Sequence, residues 1–223
     1  MGTGSVFVST PGGKGKNSVE DGLIFYVPFD ENYDDKIRPE SPTQAGAISL
    51  VGGQVGGGVN IQKGVLKYLP QLVSAQNELT ICFWVLFTQM PTYSTFIAES
   101  SSDSSYDFLV RVMGGKFALY INGSYRYSNI TIPNLQEWIH IGVTLSKDKI
   151  LSFYANGVFD SQITNVAYPT TISTGTYIGN HYATLSASQS YNLYGYMDEV
   201  RMYKQAKTAD EIRAIYQYKG KGI

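Results

Sequence analysis

The sequence predicts an all-β protein: a two-sheet jelly-roll sandwich with one short C-terminal helix. Three observations predict it. Apolar and polar residues alternate in many short runs, as in Ile139, Ile141, Val143 and Leu145 against His140, Gly142 and Thr144, which is the period of a strand. Two aromatic runs end in Asn-Gly, at Asn122-Gly123 and Asn156-Gly157, the strongest short hairpin signal. A helical pattern occurs once, near the C-terminus.

Taken in order, residues 1–20 are rich in Gly, Ser and Lys, with one apolar cluster at Val6, Phe7 and Val8. They are expected to form a flexible or assembly-dependent arm, and residues 21–223 the domain. Strand patterns dominate from Leu23 onward. Residues 52–64, GGQVGGGVNIQKG, read as a turn and a strand, because a phosphate cradle would need a helix after the glycines. Residues 79–85, LTICFWV, form an apolar strand that holds Cys82. Residues 194–203, YGYMDEVRMY, carry a phase break: Met197 is inward on one count, Val200 and Met202 on the other. A strand of period two does this only with an extra residue, so a β-bulge is expected at Asp198–Glu199. Thr208 to Glu211 is a T-x-x-E capping box. Ile212, Ile215 and Tyr216 follow as one apolar stripe. This helix is expected to seal an end or an edge of the sandwich.

Composition bounds the function. A chain of 223 residues with no compositional break suits one large β domain. Tyr (18) and Gly (23) are abundant and charged residues are 16%, as in a turn-rich β protein with a lightly charged surface. A formal net charge of -1 gives no steering toward nucleic acid or an anionic membrane. With one cysteine no intrachain disulfide forms, and Cys82 reads as a small buried apolar residue. The N-terminal residues lack the apolar core of a signal peptide, and no apolar run is long enough to span a bilayer. The expected location is therefore a virion or a cell surface reached by a non-classical route, and otherwise the cytoplasm.

Five segments in order resemble the laminin G-like domains of the concanavalin A-like lectin/glucanase superfamily. They are GLIFYVPFD (22–30), LTICFWV (79–85), WIHIGVTLSKDKILSFYANG (138–157), YIGN (177–180) and GYMDEVRMY with AKT (195–208). The resemblance covers roughly residues 20–217. It implies a concanavalin A-like jelly roll in which the first and last strands lie side by side. It also implies a structural Ca²⁺ held by Asp30 and Asp198, with Asp34 and Asp35 nearby and backbone oxygens completing the shell. The alternative for Asp198 is a pairing with Arg201 or capping of the bulge amides. Glycosidase relatives use two carboxylates placed by an E-x-D-x-x-E pattern, and this chain has no such pattern. It also has no G-x-S-x-G elbow, and its two histidines with one cysteine do not make a zinc site. A non-enzyme is expected, with His140, Trp84 and Trp138 structural.

Sugar rings stack on aromatic side chains, with polar groups fixing the hydroxyls. Two long polar loops mix such residues, residues 90–107 with Tyr93 and Tyr106, and residues 181–194 with His181, Tyr182, Tyr191 and Asn192. Tyr125 and Tyr127 form a third set. The expected function is non-catalytic, lectin-like recognition of carbohydrate or a glycosylated surface, as in adhesion. The alternatives are a structural, decoration or receptor-binding protein of a bacteriophage particle, oligomerising or assembling through the arm, and a glycan-processing enzyme.

Overall fold

The computed structural model describes residues 19–70, 77–100, 108–132, 134–169, 173–180 and 191–218. The predicted arm, apart from its last two residues, lies outside them. The described strands are β1 (Leu23–Val27), β2 (Thr43–Gly52), β3 (Gly57–Tyr68), β4 (Leu79–Phe87), β5 (Tyr93–Ser100), β6 (Phe108–Met113) and β7 (Lys116–Ile121). They continue with β8 (Ser124–Thr131), β9 (Trp138–Leu145), β10 (Leu151–Ala155), β11 (Val158–Ile163), β12 (Gly175–Ile178) and β13 (Tyr194–Tyr203), and the helix α1 (Ala209–Gln217) closes the series.

The hydrogen-bonded path runs β11-β10-β9-β4-β13-β3-β12-β5-β6-β7-β8, with β1 beside β13 and β2 beside β3. Its two ends meet again, since the Asn129 amide on β8 donates to the Asp160 carboxylate on β11 (2.9 Å). The sheet therefore doubles over into two layers, the expected sandwich. Between the layers, Phe83 and Phe87 of β4 meet Phe96 of β5 at 5.1 and 5.9 Å, and Phe117 of β7 stacks on Phe96 at 5.6 Å. Rings of this size bury the most apolar area per residue, so they set the thickness of the interior.

The two Asn-Gly sites turn as predicted. Asn122 and Gly123 join β7 to β8, and Asn156 and Gly157 join β10 to β11, each pair at φ 49° and 76°. Both central residues are left-handed, as a tight two-residue hairpin requires.

Thr208 caps α1: its hydroxyl accepts from the Glu211 amide, and the Glu211 carboxylate accepts from the Thr208 amide. The helix does not seal an end or an edge. It lies across the outer face of the layer, with Ile212 and Ile215 packed on Cys82, Tyr154 and Tyr203. This explains why β4 is buried at every position and reads as an apolar run broken only by Thr80, for both of its faces are covered. Cys82 is buried and burial pushes its thiol up to about 12, an inert side chain as expected. Trp84 is buried beneath the helix, 5.3 Å from Tyr216, and Trp138 is half-buried, 6.4 Å from Tyr196. Neither is in the core between the layers.

His140 points away from that core, as its alternation predicts, and packs 5.2 Å from Trp84 and 5.7 Å from Tyr216. Burial, helped by the Arg201 charge, pulls its imidazole from 6.5 to about 3. Between those values the unfolded chain binds a proton that the folded one refuses. Its contribution to stability is therefore complete above pH 6.5 and is lost as the pH falls, at about 1.4 kcal/mol per pH unit. Urea unfolding from pH 6.5 to 4 is expected to show a steeper loss of stability for the wild type than for His140→Phe. Equal slopes would show that His140 does not carry this dependence.

Candidate functional site

The predicted bulge is present. Asp198 pairs with Trp84 and Arg201 with Cys82, so Glu199 and Val200 together face Phe83. Glu199 takes the left-handed φ of 54° that absorbs the extra residue. At this point β13 changes neighbours. Tyr194–Met197 pair with β3, whereas Val200–Tyr203 pair with β1, so the first and last strands do lie side by side. The bulge keeps Met197, Val200 and Met202 all in the core and separates the two acidic side chains.

Asp198 turns to the glycine-rich connection between β2 and β3. Its Oδ2 accepts the Val55 amide at 2.8 Å, and the amides of Gln54 and Glu199 also point to this carboxylate. Asp30 meets the same connection, where its Oδ1 accepts the Gly57 amide at 2.7 Å. Gly56 has φ +67°, and a Cβ there would lie 2.2 Å from Asp30 Oδ1. The glycines are thus needed for close approach of the turn to two carboxylates. Burial pushes the Asp198 carboxyl up to about 8, with the Glu199 charge adding to the rise against the pull of the amides. Its Oδ1 is buried and accepts no hydrogen bond. The side-chain oxygens a hard cation would meet at this turn are those of the Asp30 and Asp198 carboxylates. Among the described residues no group of three or more His, Cys, Asp or Glu side chains is placed to hold a metal. Asp34 and Asp35 serve a different loop: Asp34 accepts the Ser41 hydroxyl, and Asp35 accepts the amides of Tyr26 and Ile37.

Glu199, not Asp198, is the partner of Arg201. The two form a buried ion pair, and the Tyr26 hydroxyl donates to Glu199 at 2.9 Å. The Arg201 guanidinium lies 4.4 Å from the Tyr26 ring and 4.9 Å from the Tyr218 ring. Burial raises the Glu199 carboxyl above its ordinary value, while Arg201 and Tyr26 pull it back. Adjacent in sequence, the two carboxylates serve separate partners.

A second cluster gathers most of the described aromatic candidates. On β6, Phe108, Val110 and Val112 face the core and Arg111 faces outward. Arg111 is 2% exposed. Its guanidinium carbon lies 4.8 Å from the Tyr191 ring, 5.5 Å from Tyr93 and 6.0 Å from Tyr125. Nη1 donates to the Tyr125 hydroxyl at 3.1 Å, while Nε and Nη2 have no hydrogen-bond partner. Tyr93 and Tyr191 meet edge to face at 5.9 Å, and Tyr125 contacts Tyr120 at 4.9 Å and Tyr127 at 6.1 Å. Tyr93, 37% exposed, also lines an open cleft of about 370 Å³ with Gln89, Met90, Pro91, Thr92 and Tyr194. Residues from β5, β6, β8 and the segment before β13 thus form one aromatic cluster around a buried cation, and Tyr93 extends it to the cleft.

Of the residues predicted to contact sugar, Tyr93 and Tyr191 are brought together here. Asn192 is buried, and its Oδ1 accepts the Asn180 side-chain amide at 2.5 Å. Tyr106, His181 and Tyr182 lie outside the described residues. Sequence reasoning missed Arg111. Its signal is a lone charge in FLVRVM, flanked by two inward valines, which puts a cation on the outward face of an apolar strand.

Solved structures share this fold. Domain 4 of AbnA, a GH43 extracellular arabinanase from Geobacillus stearothermophilus solved in complex with arabinotriose, superposes with a TM-score of 0.71 at 18% identity, covering 87% of this chain and 98% of that one. The binding domain of Paraclostridial Mosquitocidal Protein 1 gives 0.67 at 13% identity and 89% of this chain, which spans 52% of that domain's length. The heptameric SAP-like pentraxin of Limulus polyphemus gives 0.57 at 20% identity, covering 76% of this chain and 81% of that one. A comparison with curated proteins finds no match. The Laminin_G_3 family model, described as Concanavalin A-like lectin/glucanases superfamily, matches residues 60–213. The chain belongs to this laminin G-like family of the concanavalin A-like lectin/glucanase superfamily.

Proposed function

We propose that the protein is a non-catalytic recognition module that binds carbohydrate, or a glycosylated surface, through the tyrosine patch around Arg111. The observation that carries this reading is the convergence of Tyr93, Tyr125 and Tyr191 on one outward face beside an open cleft. Aromatic rings offer sugars the flat apolar face they stack on. The arabinanase domain solved with arabinotriose and the mosquitocidal-protein binding domain, which share the fold, support the reading. Glycan-array binding of the purified chain tests it. Tyr93→Ala and Tyr191→Ala are each expected to weaken binding roughly tenfold, from the ~1.5 kcal/mol an aromatic contact contributes, with unfolding curves unchanged. Absence of binding to any glycan would overturn the reading in favour of the assembly role expected of residues 1–20.

The same reading includes a structural Ca²⁺ held by Asp30 and Asp198, with backbone carbonyls supplying the rest of about six to eight oxygens. Bound there, the ion would supply positive charge to a buried carboxylate and clamp the β2–β3 turn to β13. Saturating Ca²⁺ at about 100 times its Kd is expected to add about 2.7 kcal/mol to the unfolding free energy over chelator. Asp198→Asn is expected to abolish that gain. Identical unfolding curves in Ca²⁺ and chelator would remove the ion from the reading.

A further inference from the structure

Arg111 and Arg201 make an internal comparison. Both are buried, at 2% and 1% exposure, and both guanidinium groups lie against tyrosine rings. Arg201 has a carboxylate partner in Glu199. Nε and Nη2 lack a hydrogen-bond partner in both, but among the described residues no acidic side chain pairs with Arg111, so only its buried charge is left uncompensated. A buried cation with unspent donors is costly to fold, so its retention on an outward face calls for a use. The two open donors are adjacent. Nε–H and Nη2–H form the side-on edge of the guanidinium, whose parallel bonds match the two oxygens of a carboxylate or sulfate. Nη1, on the far side, is tied to the Tyr125 hydroxyl, which holds the plane in a set orientation. Tyr93 touches both the guanidinium, 5.5 Å from its ring, and the cleft that it lines, so a rotamer change of that side chain is the route by which a ligand in the cleft would reach Arg111.

We infer that Arg111 binds the anionic group, carboxylate or sulfate, of an acidic glycan, with Tyr93 and Tyr191 as walls that contact the sugar ring. This rests on the carbohydrate reading above and narrows its ligand class. Neutral sugar hydroxyls would leave the buried charge uncompensated, whereas an anion on the side-on edge neutralises it and accepts both donors.

The test uses matched oligosaccharides in four forms: neutral, carboxylated, carboxyl-reduced and sulfated. Binding is measured by calorimetry to the whole chain and to Arg111→Gln and Arg111→Lys. The wild type is expected to bind an anionic form at least about 30-fold more tightly than the neutral and carboxyl-reduced forms. Arg111→Gln should lose that preference, binding the anionic and neutral forms with similar affinity. Arg111→Lys should fall between, because it keeps the charge but not the paired donors. The carboxylated and sulfated arms identify which anion is held. The wild-type comparison of acid with carboxyl-reduced sugar needs no variant, so it stands even if a substitution unfolds the protein. Equal affinity for acidic and reduced forms overturns the inference and leaves the carbohydrate reading intact. No binding to any form overturns both.

Discussion

Glu199→Ala is expected to destabilise the fold by about 3–5 kcal/mol, the cost of leaving one partner of a buried ion pair alone. Glu199 and Arg201 are each 1% exposed and pair with each other across the bulge. The substitution would leave a guanidinium enclosed by the rings of Tyr26 and Tyr218, and would also take the acceptor from the Tyr26 hydroxyl. Those rings stabilise a cation but do not accept its hydrogen bonds, so they do not replace the carboxylate. The double variant Glu199→Gln with Arg201→Met removes both charges and keeps much of the volume. It is expected to be more stable than Glu199→Ala alone, because no uncompensated charge is left. Urea unfolding at neutral pH decides the matter. A loss under about 1 kcal/mol for Glu199→Ala, or a double variant less stable than the single one, would mean that the pair contributes little and that the surrounding rings suffice.

The second large effect separates two neighbouring glycines. Gly53→Ala would place a Cβ 2.0 Å from the Gly57 carbonyl oxygen and 2.6 Å from Asp198 Oδ2. Neither neighbour yields easily. One is backbone, and the other is a buried carboxylate held by the Val55 amide. Moving the turn would strain the hydrogen bonds that Asp30 and Asp198 accept from it, so a loss of about 3 kcal/mol is expected, the upper part of the usual range for overpacking. Gly52→Ala has nothing within 4 Å of its Cβ and no left-handed φ. It is expected to be neutral, or to stabilise by up to about 1 kcal/mol by restricting the unfolded chain. Thermal and urea unfolding of the two variants give the comparison. Similar stability for both would show that the turn moves freely and does not depend on close approach to Asp198.

The sequence by itself determined the features whose cause lies within a few residues. The capping box is written in Thr208 and Glu211, the hairpins in the two Asn-Gly pairs, and the bulge in the broken period between Met197 and Val200, because each depends on local backbone geometry or a three-residue hydrogen bond. The ordered segments ending in MDEVRMY also sufficed to identify the family. Only the tertiary structure decided the rest. It laid α1 across the sheet face instead of an edge, since an apolar stripe says that a helix packs but not on what. It gave Glu199 to Arg201 and Asp198 to the glycine turn, a choice set by β13 changing partners from β3 to β1. It also brought Tyr93, Tyr125 and Tyr191 around Arg111, which stand far apart in the chain and meet only because the strands between them fold into one layer. Local periodicity specifies which face a residue takes, whereas its neighbours on that face are set by strand order, which arises from the packing of the whole interior.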